Sequence, residues 1–357
     1  MTDTAGRRAT LPGSDHPGEP HPMPMERIRE AAERIRGRVD ATPMLSSRTA
    51  ARAVEESTGV RLGAGPRADG QPRVYVKAEH LQVTGSFKPR GAVNRIRSLG
   101  RDEAAEGLIT LSAGNHAQAV AYAASSAGLP VTVVMPAGAS QAKAEAARGY
   151  GAEVVLHGED VGETFARMTA LRDERGLLFL HPFDDPDVIA GQGTVGLEIV
   201  ADLPGVDVVV VGVGGGGLIS GIASAIRQSR PAARVVGVEP VGSEAMSRAI
   251  AAGHPVPVQP RSIADGLGAP FAGSWTLDLV RRYVERIVLV DDVTIARGMR
   301  FALERMKQLL EPAGAAALAA VLAGRIPLAG GETVCVVASG GNVDLSRLPE
   351  LLAMAEA

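Results

Sequence analysis

This chain is poor in several things, and each shortage closes off a class of function. It has one cysteine, Cys335, in 357 residues. No disulfide can form within it, which fits a reducing, cytoplasmic setting. Cys335 lies in an apolar run and reads as a core residue. Aromatic residues make up only 3%, so the core must be built from Ala, Val, Leu and Ile. The net charge is −3, with no basic block and no interleaving of basic and aromatic residues, which excludes nucleic acid as a partner. No apolar stretch is long enough to span a bilayer. Residues 1–22 lack the apolar centre of a secretory signal and read as a disordered leader.

Glycine is abundant instead. The 43 glycines fall largely at the ends of apolar runs, where tight turns and backbone-lined sites form. From Met25 to Val39 the apolar residues Ile28, Ala31, Ala32, Ile35 and Val39 have helical spacing. Thr42-Pro43 ends that helix, and Ser47 caps the next. Further on, short apolar segments alternate with helical ones. Strands are expected at Leu108 to Leu111, Val131 to Met135 and Glu153 to Leu156. Helices are expected at Ala117 to Ser126, Gln141 to Tyr150 and Gly162 to Arg175. That alternation predicts βαβ units and a parallel sheet. Val206 to Val213 and Thr333 to Ala338 are near-continuous apolar runs, suited to strands buried on both faces. The organisation predicted is nested: a small lobe at 107–182 within a larger one formed by 23–106 and 183–357.

In open parallel sheets ligands bind beyond the carboxyl ends of the strands. Four segments fall there. Lys88 lies in Thr84-Gly85-Ser86-Phe87-Lys88-Pro89-Arg90-Gly91-Ala92. Pro89 suits the first turn of a helix, and Ser86 is expected to cap it. A lysine beside Phe87 at a helix N-terminus should have a lowered pKa, as imine formation requires. The second segment is Ser112-Ala113-Gly114-Asn115-His116. The third, Gly214 to Gly217, follows a strand and opens a helix. Its backbone N–H groups can turn toward one anion, aided by the helix dipole. The same glycines would also serve a flexible turn or a dinucleotide fold. The fourth is Ser339-Gly340-Gly341-Asn342.

Together these four segments resemble the fold-type II pyridoxal phosphate enzymes, specifically the serine/threonine dehydratase group that includes serine racemase. The resemblance spans about residues 26 to 350, with the motifs in order. It implies an α/β architecture like that of the tryptophan synthase β chain, with two open parallel-type sheets flanked by helices. It implies pyridoxal 5′-phosphate as cofactor, an amino acid as substrate, and a homo-oligomer, dimer or tetramer. Lys88 would bind the cofactor covalently and act as base, with Phe87 beside the ring. Asn115 would meet the cofactor's 3′-oxygen. Gly214, Gly215, Gly216, Gly217 and Leu218 would hold its phosphate, and Ser339 would face its ring nitrogen. Ser112, Ala113, Gly114, Asn115 and His116 would receive the substrate carboxylate.

Two positions refine the activity implied. Ser339 is a neutral hydroxyl and cannot hold a pyridine nitrogen protonated, which favours loss of a β-substituent over transamination. Racemases of the group carry serine where this chain has Ala113, and alanine cannot donate a proton. The expected reaction is therefore elimination of water from a threonine- or serine-type β-hydroxy amino acid. The alternatives are racemisation, or dehydration of another such amino acid such as 3-hydroxyaspartate. A nicotinamide oxidoreductase is the reading from a different class. Glu239, at the end of another apolar strand, stands where racemase-like relatives bind a divalent cation. A second acid is expected six residues on, but Ala245 is there and Glu244 is one residue early.

Overall fold

The computed structural model describes residues 21–100, 103, 104 and 106–356. Most of the expected leader, 1–20, therefore lies outside the described residues. Met23 is already core: it is 1% exposed, and its carbonyl accepts from Gln228 Nε2 at 2.9 Å.

Among the described residues ten strands form two sheets. In chain order they are β1 (Met44–Ser47), β2 (Val74–Lys77), β3 (Leu108–Leu111), β4 (Val131–Met135), β5 (Glu153–Leu156), β6 (Leu178–Phe179), β7 (Val208–Gly212), β8 (Arg234–Pro240), β9 (Arg286–Val290) and β10 (Val334–Val337). The six-stranded sheet runs β1-β2-β10-β7-β8-β9. Only the β1–β2 pair in it is antiparallel. The four-stranded sheet runs β5-β4-β3-β6 and is parallel throughout. Helices connect and flank the strands.

The valine-rich runs became the centre of the larger sheet. Val336 pairs with Val76 on one side and Val210 on the other. A strand covered on both faces has no solvent face to mark with polar residues, so its sequence is apolar throughout. The nearly all-alanine helix Pro312–Leu322 is buried along its length. Small side chains let it lie close to its neighbours.

Some expectations shift. The first helix stops at Ile35, because Gly37 takes a left-handed φ of 68°, a conformation that favours glycine and ends helices. Ser47 does cap its helix, accepting from the Ala50 N–H at 3.0 Å. Ser86 does not cap: Phe87 is the N-cap residue of the helix Lys88–Ser98. The Ser86 hydroxyl is buried with no hydrogen-bond partner among the described residues. Among those residues no helix is long and apolar enough to cross a membrane.

The helix that begins at Lys88 is seated closely. A Cβ on Gly91 would stand 2.8 Å from the Val188 carbonyl oxygen. Only glycine allows the helix Pro186–Asp202 to pass there. Between these helices lies a buried ionic network. Arg90, 0% exposed, meets Glu79 through Nε and Nη2 at 2.8 and 2.9 Å. It meets Glu198 through Nη1 and Nη2 at 2.6 and 2.9 Å. Two carboxylates grip one planar guanidinium, which fixes the helix in rotation as well as position.

Candidate active site

The four sequence segments converge at strand ends. The loop before Lys88 is laced to the segment after β10. Phe87 N–H donates to the Ser339 carbonyl at 3.1 Å, and Gly341 N–H to that of Gly85 at 2.9 Å. Ser86 and Gly340 form an antiparallel bridge. Within this loop Thr84 has φ 63°, a left-handed conformation that a β-branched residue rarely adopts. Its carbonyl is held by Asn342 Nδ2 at 2.7 Å.

That contact also settles the orientation of Asn115. Asn342 Nδ2 gives its second hydrogen to Asn115 Oδ1 at 2.8 Å. Asn115 Nδ2 then donates to Glu311 Oε1 at 2.6 Å. An amide nitrogen has two hydrogens, so one N–H of Asn115 remains for a ligand. Asn115 opens the helix Asn115–Ala127, two residues earlier than the sequence suggests. Its neighbour His116 is buried, with Nε2 3.3 Å from the Leu180 carbonyl oxygen. Burial, reinforced by the charge of Lys88, drives the His116 pKa well below its usual value, which leaves the imidazole neutral. Ser112 Oγ accepts from the Gly114 N–H at 3.1 Å and shapes the turn that carries Ala113.

Lys88 is partly buried. Its amine donates to the Pro182 carbonyl at 2.8 Å and stands 5.3 Å from the centre of the Phe87 ring. No carboxylate pairs with it among the described residues. Desolvation without compensation lowers its pKa to about 8. Phe87 is half-buried and packs against the apolar cluster that contains Val209, Val211 and Leu218.

Beyond β7 the chain turns through Gly214 to Gly216 into the helix Gly217–Ser229. Gly216 has φ 94°. A Cβ on Gly215 would fall 2.4 Å from atoms of the Phe183 ring. Among the described residues the N–H groups of Gly215 through Ile219 meet no acceptor, and the first N–H bond of the helix is from Ser220 to the Gly216 carbonyl. These unused donors at a helix N-terminus fit a phosphate. The amine of Lys88, free of any acid, fits a carbonyl partner. On both counts the residues present fit pyridoxal phosphate.

The comparisons agree. The family described as pyridoxal-phosphate dependent enzyme matches residues 51–340. The chain belongs to the pyridoxal-phosphate dependent enzyme family. Within that family it is 43% identical over 327 residues to an L-threonine ammonia-lyase of Geobacter sulfurreducens, covering 91% of this chain and 77% of the relative. It is 39% identical to the catabolic L-threonine dehydratase TdcB of Escherichia coli, covering 94% and 98%. The solved structure of maize serine racemase superposes with a TM-score of 0.82 at 34% identity, covering 92% of this chain and 97% of that one.

Three site residues that sequence reading passed over lie in one segment. Pro182, Phe183 and Asp184 follow β6 and lie against Lys88 and the glycine loop. His181, in the same segment, accepts the N–H groups of Phe183 and Asp184 at Nδ1, 3.2 and 2.8 Å away. Glu311 is 5% exposed. Burial, with Asp265 adding repulsion, raises its pKa to about 7 against the pull of Asn115 and Lys143. The pair Lys143–Asp265, 2.7 Å apart, joins the helix after β4 to the segment beside Glu311. The dense Pro and Asp of His181-Pro182-Phe183-Asp184-Asp185-Pro186 was the available signal for the first of these groups.

Glu239, at the position where racemase-like relatives bind a cation, is hydrogen-bonded within the chain. It is 0% exposed. Its carboxylate accepts the N–H groups of Met246 and Ser247 at 2.7 and 2.9 Å and the Ser247 hydroxyl at 2.5 Å. It caps the helix Ala245–Ala252, and Glu244 turns instead to Arg248. Those bonds give each oxygen of the buried carboxylate a donor.

Proposed function

We propose that this enzyme removes water from L-threonine or L-serine, releasing a 2-oxo acid and ammonia. The observation that carries the reading is the meeting of an unpaired lysine amine with an unused set of phosphate-binding N–H groups. Bound pyridoxal phosphate supplies the electron sink that makes the substrate's Cα–H acidic.

The chain's own groups would do the rest. Gly214 to Leu218 offer backbone donors to the phosphate. The remaining N–H of Asn115 is offered to the 3′-oxygen, in an orientation set by Asn342. Ser339, 5% exposed, presents a neutral hydroxyl to the ring nitrogen. The turn Ser112 to His116 receives the substrate carboxylate and so fixes which face of Cα meets Lys88. Lys88, whose pKa burial lowers to about 8, takes the Cα proton. The β-hydroxyl takes up one proton, balancing the one that Lys88 removed from Cα, and leaves as water; the enamine product then takes up water and breaks down to the 2-oxo acid and ammonia. Ala113 offers no proton from the opposite face, which favours elimination over racemisation. By resemblance we expect a homo-oligomer.

The test is release of 2-oxo acid and ammonia across a panel of β-hydroxy amino acids that includes 3-hydroxyaspartate, with Lys88→Ala as control. Threonine and serine should lead the panel, and Lys88→Ala should be inactive. Turnover retained in Lys88→Ala would sink the reading.

A further inference from the structure

The glycine loop rests on a side chain that none of the four motifs contains. Thr276, 0% exposed, donates its hydroxyl to the Gly215 carbonyl at 2.7 Å, with the Gly273 carbonyl a more distant acceptor at 3.2 Å. Its Cβ lies 2.8 Å from where a Cβ on Gly216 would stand, so it packs directly on the loop. No peptide bond among the described residues is cis. In a trans peptide the C=O and the following N–H point in opposite directions. Holding the Gly215 carbonyl toward Thr276 therefore turns the Gly216 N–H away from it. Among the described residues that N–H meets no acceptor.

Thr276 is itself held. Asp184 accepts its backbone N–H at 3.1 Å through Oδ1 and that of Ser274 at 2.9 Å through Oδ2. A Cβ on Gly273 would overlap this carboxyl, 2.1 Å from Oδ1, so the approach depends on glycine. Asp184 is anchored in turn by its N–H to His181 Nδ1. One segment, 181–184, thus touches Lys88 through the Pro182 carbonyl and the glycine loop through Asp184 and Thr276.

We propose that Thr276 is a positioning residue for the cofactor phosphate. It orients the Gly215–Gly216 peptide so that the Gly216 N–H faces the anion, and Asp184 keeps it in place. The inference rests on the reading of Gly214 to Gly217 as the phosphate site.

The experiment compares binding of pyridoxal phosphate and of pyridoxal, which lacks the phosphate, to the full chain stripped of cofactor. The variants are Thr276→Val and Thr276→Ser. Loss of one neutral hydrogen bond should weaken pyridoxal phosphate binding roughly three- to tenfold in Thr276→Val. Pyridoxal binding should stay within about twofold, since Thr276 acts only on the phosphate end. Thr276→Ser should restore the parent's preference, and the phosphorus resonance of bound cofactor should shift in the valine variant and return in the serine variant. Should Thr276→Val not fold, Thr276→Ala is read in the same way. Equal weakening of both ligands, or no weakening of either, overturns the inference alone. A parent chain that binds both ligands equally overturns the phosphate-loop reading and the inference with it.

Discussion

Titrating Lys88 in the cofactor-free chain probes the chemistry most directly. Its amine has a backbone carbonyl as its hydrogen-bond partner, at 2.8 Å, and no acid to stabilise the charge. Burial alone lowers its pKa to about 8. At pH 8 about half of the Lys88 amines are then neutral, against roughly three in a thousand for a lysine at the ordinary value. That is a gain of about 150-fold in reactive amine. The assay is trapping of pyridoxal by cyanoborohydride across pH, with labelled peptides quantified by mass spectrometry. Label at the exposed Lys307 serves as the internal reference. Labelling at Lys88 should rise with a midpoint near 8 and outrun Lys307 at neutral pH. Lys88→Arg should remove the fast label and leave the reference unchanged. A Lys88 midpoint of about 10, or neutral-pH labelling no faster than at Lys307, would refute the desolvation argument.

Three further outcomes are expected. Ala113→Ser should add D-amino acid to the products, measured by chiral chromatography; a product mixture identical to the parent's would weaken the one-face argument. Gly215→Ala forces a methyl to within 2.4 Å of the Phe183 ring, which is wedged against His181 and Phe271. It should cost about 1–3 kcal/mol of stability and lower cofactor affinity, as read by melting and by cofactor titration. Glu311 has a folded pKa of about 7 against 4.5 as reference, so the native chain binds its proton more tightly than the unfolded chain. The stability this gives is full below about pH 4.5 and is lost as pH rises through 7. Melting temperatures of the cofactor-free chain should therefore fall across that window, and Glu311→Gln should flatten the fall; an unchanged slope would place the titration elsewhere.

Much of this architecture was legible because buried parallel strands have no choice but to be apolar. Val208–Gly212 and Val334–Val337 announced themselves by composition, and the glycines after them marked the strand ends. The edge strands of the larger sheet did not. Arg286–Val290 is exposed or half-buried at every position except Val290, and Met44–Ser47 is short and ends in the cap of the next helix. Lys88, Asn115, Gly214 to Gly217 and Ser339 stood out because each sits in a distinctive local pattern. Thr276, Asp184 and Arg90 did not. Their importance comes from partners 61, 92 and 108 residues away, and a contact at such separation leaves no periodicity in the sequence. Ser86 was misread for a related reason: a hydroxyl before a helix suggests a cap, but the bridge to Gly340 turns that residue into the interior.

The position of the last strand has a consequence for how the enzyme comes into being. β10 lies between β2 and β7, so the sheet's centre is supplied by a strand that follows both of them, and every other strand, in the sequence. Until residues 334–337 arrive, β2 and β7 each present an unpaired edge, the kind of surface that invites wrong partners. The loop carrying Lys88 also lacks the Ser339 and Gly341 contacts that shape it. A nascent or C-terminally clipped chain therefore holds every glycine of its phosphate loop and its reactive lysine, yet has no site. Closure waits on a pairing across more than 250 residues, the slow long-range step of a parallel sheet. A chain without this strand should therefore bind the cofactor poorly even with Lys88 and the glycine loop intact.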